Sequence, residues 1–181
     1  VFLLTREDWR GKFNKQRLLE DEYILVYSPG YKPEVYEIAE KVSKEINVKI
    51  VTTLYTPQMA QYRNLKKVLA VGPWEFLNLL DHAKFIVSGS FHATAFSLNL
   101  HTEPICVYPK EFGGRLESIL RQTNTTQRHI DNYEDFDVVN RAVDFKQVNE
   151  ILNGERNKAN NFIDTVIEDV LKQSKKGVNT K

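Results

Sequence analysis

Hydrophobic and polar positions follow one another along the chain in blocks that predict short buried strands and amphipathic helices. Residues 23–28 read YILVYS and are followed by a Pro-Gly pair, which is typical of a strand closed by a turn. In residues 33–46 the apolar positions recur at helical spacing, and Pro33 suits the first helical turn. Residues 48–52, VKIVT, predict the next strand. This order predicts a parallel βαβ unit with a right-handed crossover.

The later blocks repeat the alternation of strand and helix. A polar loop is expected before them, over residues 53–66, and a second loop, acidic at 131–137, within 124–143. The predicted elements in chain order are a brief strand at 68–71, a helix at 73–82, a strand at 85–87, a helix at 91–100, a strand at 104–108, a helix at 115–121 and a terminal helix at 145–173 with a possible break at 153–154. This alternation predicts an α/β fold: one Rossmann-like domain over residues 1–181, with a parallel sheet and helices on both faces.

The first twenty residues stand outside this alternation. They include an amphipathic stretch, TREDWRGKF, and predict an interdomain or linker helix over residues 1–20. Phe2, Leu3 and Leu4 have no obvious local partner, which is expected if another domain packs against them. The chain also begins at Val1 without a methionine, so we interpret it as a piece of a longer protein.

Composition narrows the function classes. A chain of 181 residues with 41% hydrophobic and 27% charged residues is ordinary for one globular domain. The formal charge of +1 provides no strong field for nucleic acid, and the apolar runs are too short to cross a bilayer. No signal peptide pattern opens the chain, so a cytoplasmic location is expected. A single cysteine, Cys106, excludes an internal disulfide, and no metal site is expected.

The candidate chemistry lies where the strand at 85–87 meets the helix at 91–100. Ser88, Gly89, Ser90 and His92 occupy this joint. In parallel α/β sheets, ligands bind beside such strand ends, and the free N–H groups of a helix start attract phosphate or carboxylate. Ser88 or Ser90 is able to cap the helix, and a histidine here is able to donate a proton near neutral pH. The alternative is that Ser90 is only a cap and His92 a partly buried aromatic residue.

Two arginines and three tyrosines are further candidates. Arg115 and Arg128 lie in or beside segments that follow strands, where an anionic ligand is expected, although a solvated surface arginine is the ordinary alternative. Tyr31, Tyr55 and Tyr62 lie in predicted loops and are able to stack on a sugar. A chain with eight tyrosines supplies such positions by chance as well. Neither a dinucleotide-binding glycine motif, a P-loop nor a nucleophile elbow is found in the sequence.

Residues 72–108, GPWEFLNLLDHAKFIVSGSFHATAFSLNLHTEPICVY, resemble the carboxyl-terminal half of the polysaccharide pyruvyl transferase family. That family shows a G-P-x-E-F-L-x-L-I segment, an apolar strand, and then S-F-H-G-T-A-F-S or a related R-L-H-G form. The resemblance implies the second domain of a two-domain, GT-B-like transferase. It also implies a missing amino-terminal domain of the same chain, which would account for the apolar start.

The resemblance further implies a reaction. A pyruvyl group would move from phosphoenolpyruvate, the donor substrate, onto two hydroxyls of a sugar or lipid-linked saccharide, giving a cyclic ketal and phosphate. Such an enzyme would serve bacterial exopolysaccharide or capsule synthesis in the cell envelope and need no cofactor. His92 would be the general acid, and this single domain is expected to be inactive alone. The implied substrate-binding residues are Ser88, Gly89, Ser90, Phe91, Ala93 and Thr94, with Arg115 and Arg128.

Three positions depart from the family pattern. Ser90 stands where the family often has arginine, Ala93 replaces the usual glycine, and Gly89 replaces an acidic or hydroxyl residue. The missing charge is then expected from Arg115, Arg128 or the first domain. Two alternatives stay open: a nucleotide-sugar-dependent GT-B glycosyltransferase, and a non-catalytic sugar- or phosphate-binding relative. The lack of an acidic residue in 91–100 counts against the glycosyltransferase.

Overall fold

The computed structural model describes residues 1–62, 64–108, 113–130 and 136–178. The acidic stretch expected at 131–137 therefore lies outside the described residues, apart from its last two positions. In chain order the helices are α1 (Arg6–Arg10), α2 (Pro33–Ile46), α3 (Pro73–His82), α4 (Phe91–Leu100), α5 (Gly114–Gln122) and α6 (Phe145–Val178), with 3-10 turns at Pro57–Gln61, Thr126–Arg128 and Phe136–Asn140.

Within the described ranges, five strands form one sheet in the order β3-β2-β1-β4-β5. All four pairings between neighbouring strands are parallel. This strand order, with helices on both faces, confirms the predicted Rossmann-like α/β fold. The strands are β1 (Tyr23–Tyr27), β2 (Lys49–Thr52), β3 (Leu65–Lys67), β4 (Phe85–Ser88) and β5 (Glu103–Cys106).

The central strand β1 supplies side chains to the cores on both faces of the sheet. Ile24 and Val26 belong to the core that includes the apolar side of α2, whereas Tyr23 and Leu25 belong to the core that includes α3. All four side chains are at most 1% exposed. An apolar run without polar alternation is what a strand covered on both faces requires, and this explains why the sequence YILVY marks β1 so clearly.

Two elements differ from their predicted positions. Strand β3 lies at Leu65–Lys67, inside the expected loop and before the strand expected at 68–71. It is an edge strand in which only Leu65 is partly buried and both lysines are exposed. Its sequence therefore lacks the apolar run that predicts a buried strand. Helix α6 continues through Asn153 and Gly154 to Val178, since a single glycine in a helix costs only about 1 kcal/mol.

Beyond the body of the domain, α6 carries an exposed apolar face. Its side chains recur at helical spacing and are between 41% and 70% exposed. They are Phe162, Ile163, Val166, Ile167, Val170 and Leu171.

The amino-terminal segment is attached to α4 and α6, and Phe2 has partners inside this domain that the sequence did not indicate. Phe2 packs against the core formed by β5, α5 and α6. The guanidinium of Arg156 on α6 donates to the carbonyls of Phe2 and Leu4 at 2.7 and 3.2 Å, and to Oδ1 of Asn99 at 2.8 Å. Leu3 remains 54% exposed. The helix expected over residues 1–20 is reduced to the five residues of α1.

We expect Arg156→Ala to release the amino-terminal segment. The change removes charge-assisted hydrogen bonds from a side chain that is 7% exposed, and it should lower the free energy of unfolding by about 2 kcal/mol. Amide hydrogen exchange of residues 1–10 should accelerate, measured by mass spectrometry. Lys158→Ala is the control, because this exposed α6 side chain pairs with Glu155 at the surface. Unchanged exchange in Arg156→Ala would contradict this role.

Candidate functional site

The candidate site lies at the carboxyl edge of the sheet, where β1 and β4 are neighbours. The chain leaves β1 toward α2 on one face and leaves β4 toward α4 on the other. The two connections therefore diverge and leave a crevice, which is the place where open α/β sheets bind ligands. The candidate residues from Ser88 to Thr94 all lie on the β4 side of this crevice.

Ser88 fixes the turn that leads into α4. Its Oγ donates to the carbonyl of Tyr27 at 2.5 Å and accepts from the N–H of Ser90 at 3.0 Å. Ser88 is 1% exposed, so its hydroxyl positions the turn and joins it to β1. Ser90 is the N-cap residue with extended φ/ψ, but its side chain makes no capping hydrogen bond, contrary to one of the two expectations. The hydroxyl of Ser88 bonds the N-cap N–H instead.

The start of α4 presents backbone donors. The first helical hydrogen bond runs from the N–H of Thr94 to the carbonyl of Ser90 at 3.1 Å. In the described part of the chain, no acceptor is found for the N–H groups of Phe91, His92 and Ala93. Such groups carry partial positive charge and suit a phosphate or a carboxylate.

Ala93 and Thr94 contribute through the backbone, because both side chains are fully buried. Thr94 Oγ1 lies 3.5 Å from the sulfur of Cys106 at the end of β5. Burial raises the pKa of the Cys106 thiol to about 11, so the thiol stays protonated near neutral pH. These two residues and Cys106 form the inner wall behind the turn, and Cys106 is not an activated nucleophile.

His92 lies on the first turn of α4 with its side chain exposed. Its ring meets the ring of Phe91 edge-on, with 5.7 Å between centroids. The structure therefore does not favour the alternative that His92 is a partly buried aromatic residue. An exposed imidazole beside unbonded backbone N–H groups is placed to exchange a proton with a bound anion.

Arg115 lies near the same turn although it follows β5 by nine positions. Its guanidinium carbon is 5.7 Å from the centroid of the Phe91 ring, a cation–π contact across the start of α4. Phe91 thus contacts both His92 and Arg115. The tertiary structure therefore brings an exposed positive charge next to the helix start.

Arg128, the other predicted anion contact, is placed inside the protein and is 0% exposed. Its Nε donates to the carbonyl of Pro104 at 2.6 Å, and its Nη1 donates to the carbonyls of Val138 and Arg141 at 2.6 and 2.7 Å. Glu103 lies 3.5 Å away, and burial lowers the pKa of the guanidinium. Arg128 therefore joins β5 to the segment before α6 and is not available to a ligand at the site.

Ser28 is a residue of this edge that sequence reasoning missed. It follows β1, is 1% exposed, and its hydroxyl has no hydrogen-bond partner among the residues that the structure describes. The only available signal was a polar residue at the end of an apolar strand.

Among the described residues, no group of His, Cys, Asp and Glu is arranged to hold a metal ion. Among the helices described, none is both long and apolar enough to span a membrane.

Comparison with known proteins gives one family and a set of distant structural neighbours. The family model for polysaccharide pyruvyl transferase matches residues 1–111, which include His92 and its turn but neither Arg115 nor Arg128. No curated protein sequence is significantly similar to the chain.

The solved structures that resemble the chain include UDP-GlcNAc 2-epimerase from Methanocaldococcus jannaschii. It is 16% identical with a TM-score of 0.44, and the match covers 81% of this chain and 42% of the epimerase. A second structure of that enzyme, in complex with UDP-GlcNAc and UDP, is 19% identical with a TM-score of 0.47, covering 83% and 43%. The chain spans less than half the length of these two structures.

We expect Arg128→Ala to destabilise the protein. It removes a buried charge partner of Glu103 and leaves three carbonyls without their donor, so the free energy of unfolding should fall by about 3 kcal/mol or more. Urea denaturation measures the loss. Arg121→Ala, which removes only an exposed pair with Glu117, should change stability by less than about 0.5 kcal/mol. Equal stability of the two variants would exclude this role for Arg128.

Proposed function

The chain belongs to the polysaccharide pyruvyl transferase family, and on that premise we propose that it binds phosphoenolpyruvate and transfers the pyruvyl group to a sugar of a surface polysaccharide precursor. The observation that carries this proposal is the exposed His92 beside the unbonded N–H groups that begin α4. The turn that holds them lies within the family match.

The proposed donor carries two anionic groups, a phosphate and a carboxylate. The N–H groups of residues 91–93 supply partial positive charge for one of them, and the guanidinium of Arg115 supplies a full charge for the other. The contact between Arg115 and Phe91 supports this pairing, because it holds the guanidinium near the helix start. Arg115 would then replace the arginine that the family often has at the position of Ser90. Gly89 leaves room for the donor because it has no side chain.

The reaction we propose begins with proton transfer from the imidazole of His92 to the methylene carbon of phosphoenolpyruvate. The carbon that carries the phosphate becomes electrophilic and forms a bond with a first sugar hydroxyl, which loses its proton. The bond from that carbon to the phosphate oxygen then breaks, and phosphate leaves with one proton. Attack by a second sugar hydroxyl closes the ketal and returns the remaining proton to His92. Of the helix start and Arg115, the group that holds the phosphate stabilises the negative charge that develops there, while the other holds the carboxylate.

A second domain is part of this proposal. His92 and Arg115 lie at an exposed edge, so a facing domain would be needed to exclude water and hold the acceptor during transfer. We infer that this domain alone binds the donor without turnover, and that the complete enzyme works in the cytoplasm on a sugar or lipid-linked saccharide destined for an exopolysaccharide or capsule.

We expect Arg115→Ala to weaken the binding of phosphoenolpyruvate about tenfold to a hundredfold, because a charged hydrogen bond contributes about 1.5–3 kcal/mol. Isothermal titration calorimetry of the 181-residue chain measures the change. Arg121→Ala is the matched control on the same helix, since its guanidinium pairs with Glu117. Equal affinities in the two variants, or no binding by the unmodified chain, would argue for the non-catalytic relative or another donor.

We expect His92→Ala to keep most of the donor affinity and to lose turnover by about 10²–10⁴-fold, because general acid catalysis contributes that much. Phosphate release by the two-domain enzyme that we propose measures the rate. His82→Ala is the control, since this imidazole contacts the carbonyl of Asn78 at the far end of α3. Turnover that survives in His92→Ala would exclude His92 as the acid, and rapid turnover by the 181-residue chain alone would exclude the need for a second domain.

A further inference from the structure

Three tyrosines form a compact group beside the turn that follows β1. The rings of Tyr31 and Tyr62 both pack on Tyr36, with centroids 5.8 and 5.5 Å away and interplanar angles of 30° and 24°. The hydroxyls of Tyr31 and Tyr62 lie 3.2 Å apart, and Nε2 of Gln61 donates to the hydroxyl of Tyr31 at 2.7 Å. We call Tyr31, Tyr36 and Tyr62 the tyrosine cluster.

Tyr31 is the most exposed member of this cluster. Tyr36 is 1% exposed and Tyr62 is 8% exposed, whereas Tyr31 is partly exposed. Its ring is held on one side by Tyr36 and at its hydroxyl by Gln61 and Tyr62. A ring that is already fixed loses little conformational entropy when a ligand stacks on it, which favours a binding role.

Ser28 lies three residues before Tyr31 in the same turn. Its hydroxyl is buried and has no hydrogen-bond partner within the described part of the chain, a state that costs about 1–3 kcal/mol and is uncommon in folded proteins. A hydroxyl on a bound ligand would supply the missing partner. The turn between β1 and α2 therefore combines a fixed aromatic ring with an unsatisfied polar group.

The protonated hydroxyls of the tyrosine cluster suit a ligand that carries hydroxyl groups. Burial, the neighbouring Tyr31 and, more weakly, the carboxylates of Glu37 and Glu40 raise the pKa of Tyr62, so its hydroxyl remains protonated near neutral pH. A pyranose fits this group, because one face of the sugar ring carries hydrogens that stack on an aromatic ring while its edge carries hydroxyls.

This turn adjoins the proposed donor site. The carbonyl of Tyr27, in the peptide bond that leads into Ser28, accepts the hydrogen bond from Ser88 that shapes the start of α4. In the sheet register Tyr27 is opposite Ser88. A ligand at the β1 turn and a ligand at the start of α4 would therefore occupy neighbouring parts of one crevice.

We propose that Tyr31 and Ser28 form a subsite for a pyranose ring of the acceptor saccharide. The ring of Tyr31 stacks on the apolar face of the sugar, and the hydroxyl of Ser28 exchanges a hydrogen bond with one of its hydroxyls. That the bound saccharide is the acceptor rests on the proposed function, whereas the binding of a pyranose to this subsite does not.

The experiment measures binding of methyl β-D-galactopyranoside to the 181-residue chain by saturation-transfer NMR, with titration for affinity. Saturation should be strongest at H1, H3 and H5, which share the apolar face of this sugar. Tyr31→Ala should weaken binding about tenfold or more and Ser28→Ala about threefold to tenfold, given the usual contributions of a stacked ring and a neutral hydrogen bond. Tyr31→Phe keeps the ring and should bind like the unmodified chain.

Stability measurements separate these effects from misfolding. Ser28→Ala should not lower the unfolding midpoint, because the hydroxyl has no partner to lose. Phe162→Ala removes an exposed aromatic ring from α6 and should leave binding unchanged. The proposal is wrong if the unmodified chain shows no saturation transfer, if transfer is undiminished in a folded Tyr31→Ala variant, or if uridine binds through Tyr31 and the glycoside does not.

The experiments distinguish a failure of the subsite proposal from a failure of the proposed function. His92→Ala and Arg115→Ala should bind the glycoside as the unmodified chain does, because neither residue belongs to the β1 turn. Glycoside binding without any binding of phosphoenolpyruvate would remove the donor proposal and retain the pyranose subsite. Binding of phosphoenolpyruvate without glycoside binding would remove the subsite alone.

Discussion

The parallel pairing of β1 with β4 is the constraint on which the rest of the structure depends. It places Tyr27 opposite Ser88, and a side-chain hydrogen bond from Ser88 Oγ to the carbonyl of Tyr27 extends the connection beyond the last pair of the ladder. The same hydroxyl accepts from the N–H of Ser90. One serine therefore fixes the end of the central strand relative to the start of α4, and the crevice between the two turns has a defined shape.

The two sides of this crevice differ in their chemistry. On the β4 side, backbone N–H groups, an exposed imidazole and the guanidinium of Arg115 favour an anion. On the β1 side, the tyrosine cluster and Ser28 provide an aromatic surface and a hydroxyl, with carboxylates nearby. A transferase that joins an anionic donor to a neutral sugar needs this kind of division, which is why the two proposals support each other without depending on the same residues.

Three arginines of the chain illustrate how burial changes the role of one side chain type. Arg128 and Arg156 are at most 7% exposed and donate to carbonyls that would otherwise lack partners, so they hold segments together. Arg115 is exposed, and its guanidinium lies over the ring of Phe91. A fully buried guanidinium cannot be reached by a substrate, whereas an exposed one at a helix start can.

The sequence by itself determined the fold class, most helices and strands, and the position of His92 at a strand-to-helix turn. These features depend on local patterns: a continuous apolar run for a strand covered on both faces, and apolar residues at helical spacing. The resemblance of residues 72–108 also identified the family that the match to residues 1–111 confirms.

Only the tertiary structure decided which arginine reaches the site, why Ser88 matters and where Ser28 lacks a partner. Both arginines follow the predicted strand at 104–108 in the sequence. Arg128 is nevertheless enclosed by carbonyls from distant segments, whereas Arg115 is exposed. Edge strand β3 escaped prediction because solvent on one side removes the apolar pattern. The physical reason is common to all of these cases: hydrogen-bond satisfaction and burial depend on residues far apart in the chain, and no local pattern encodes them.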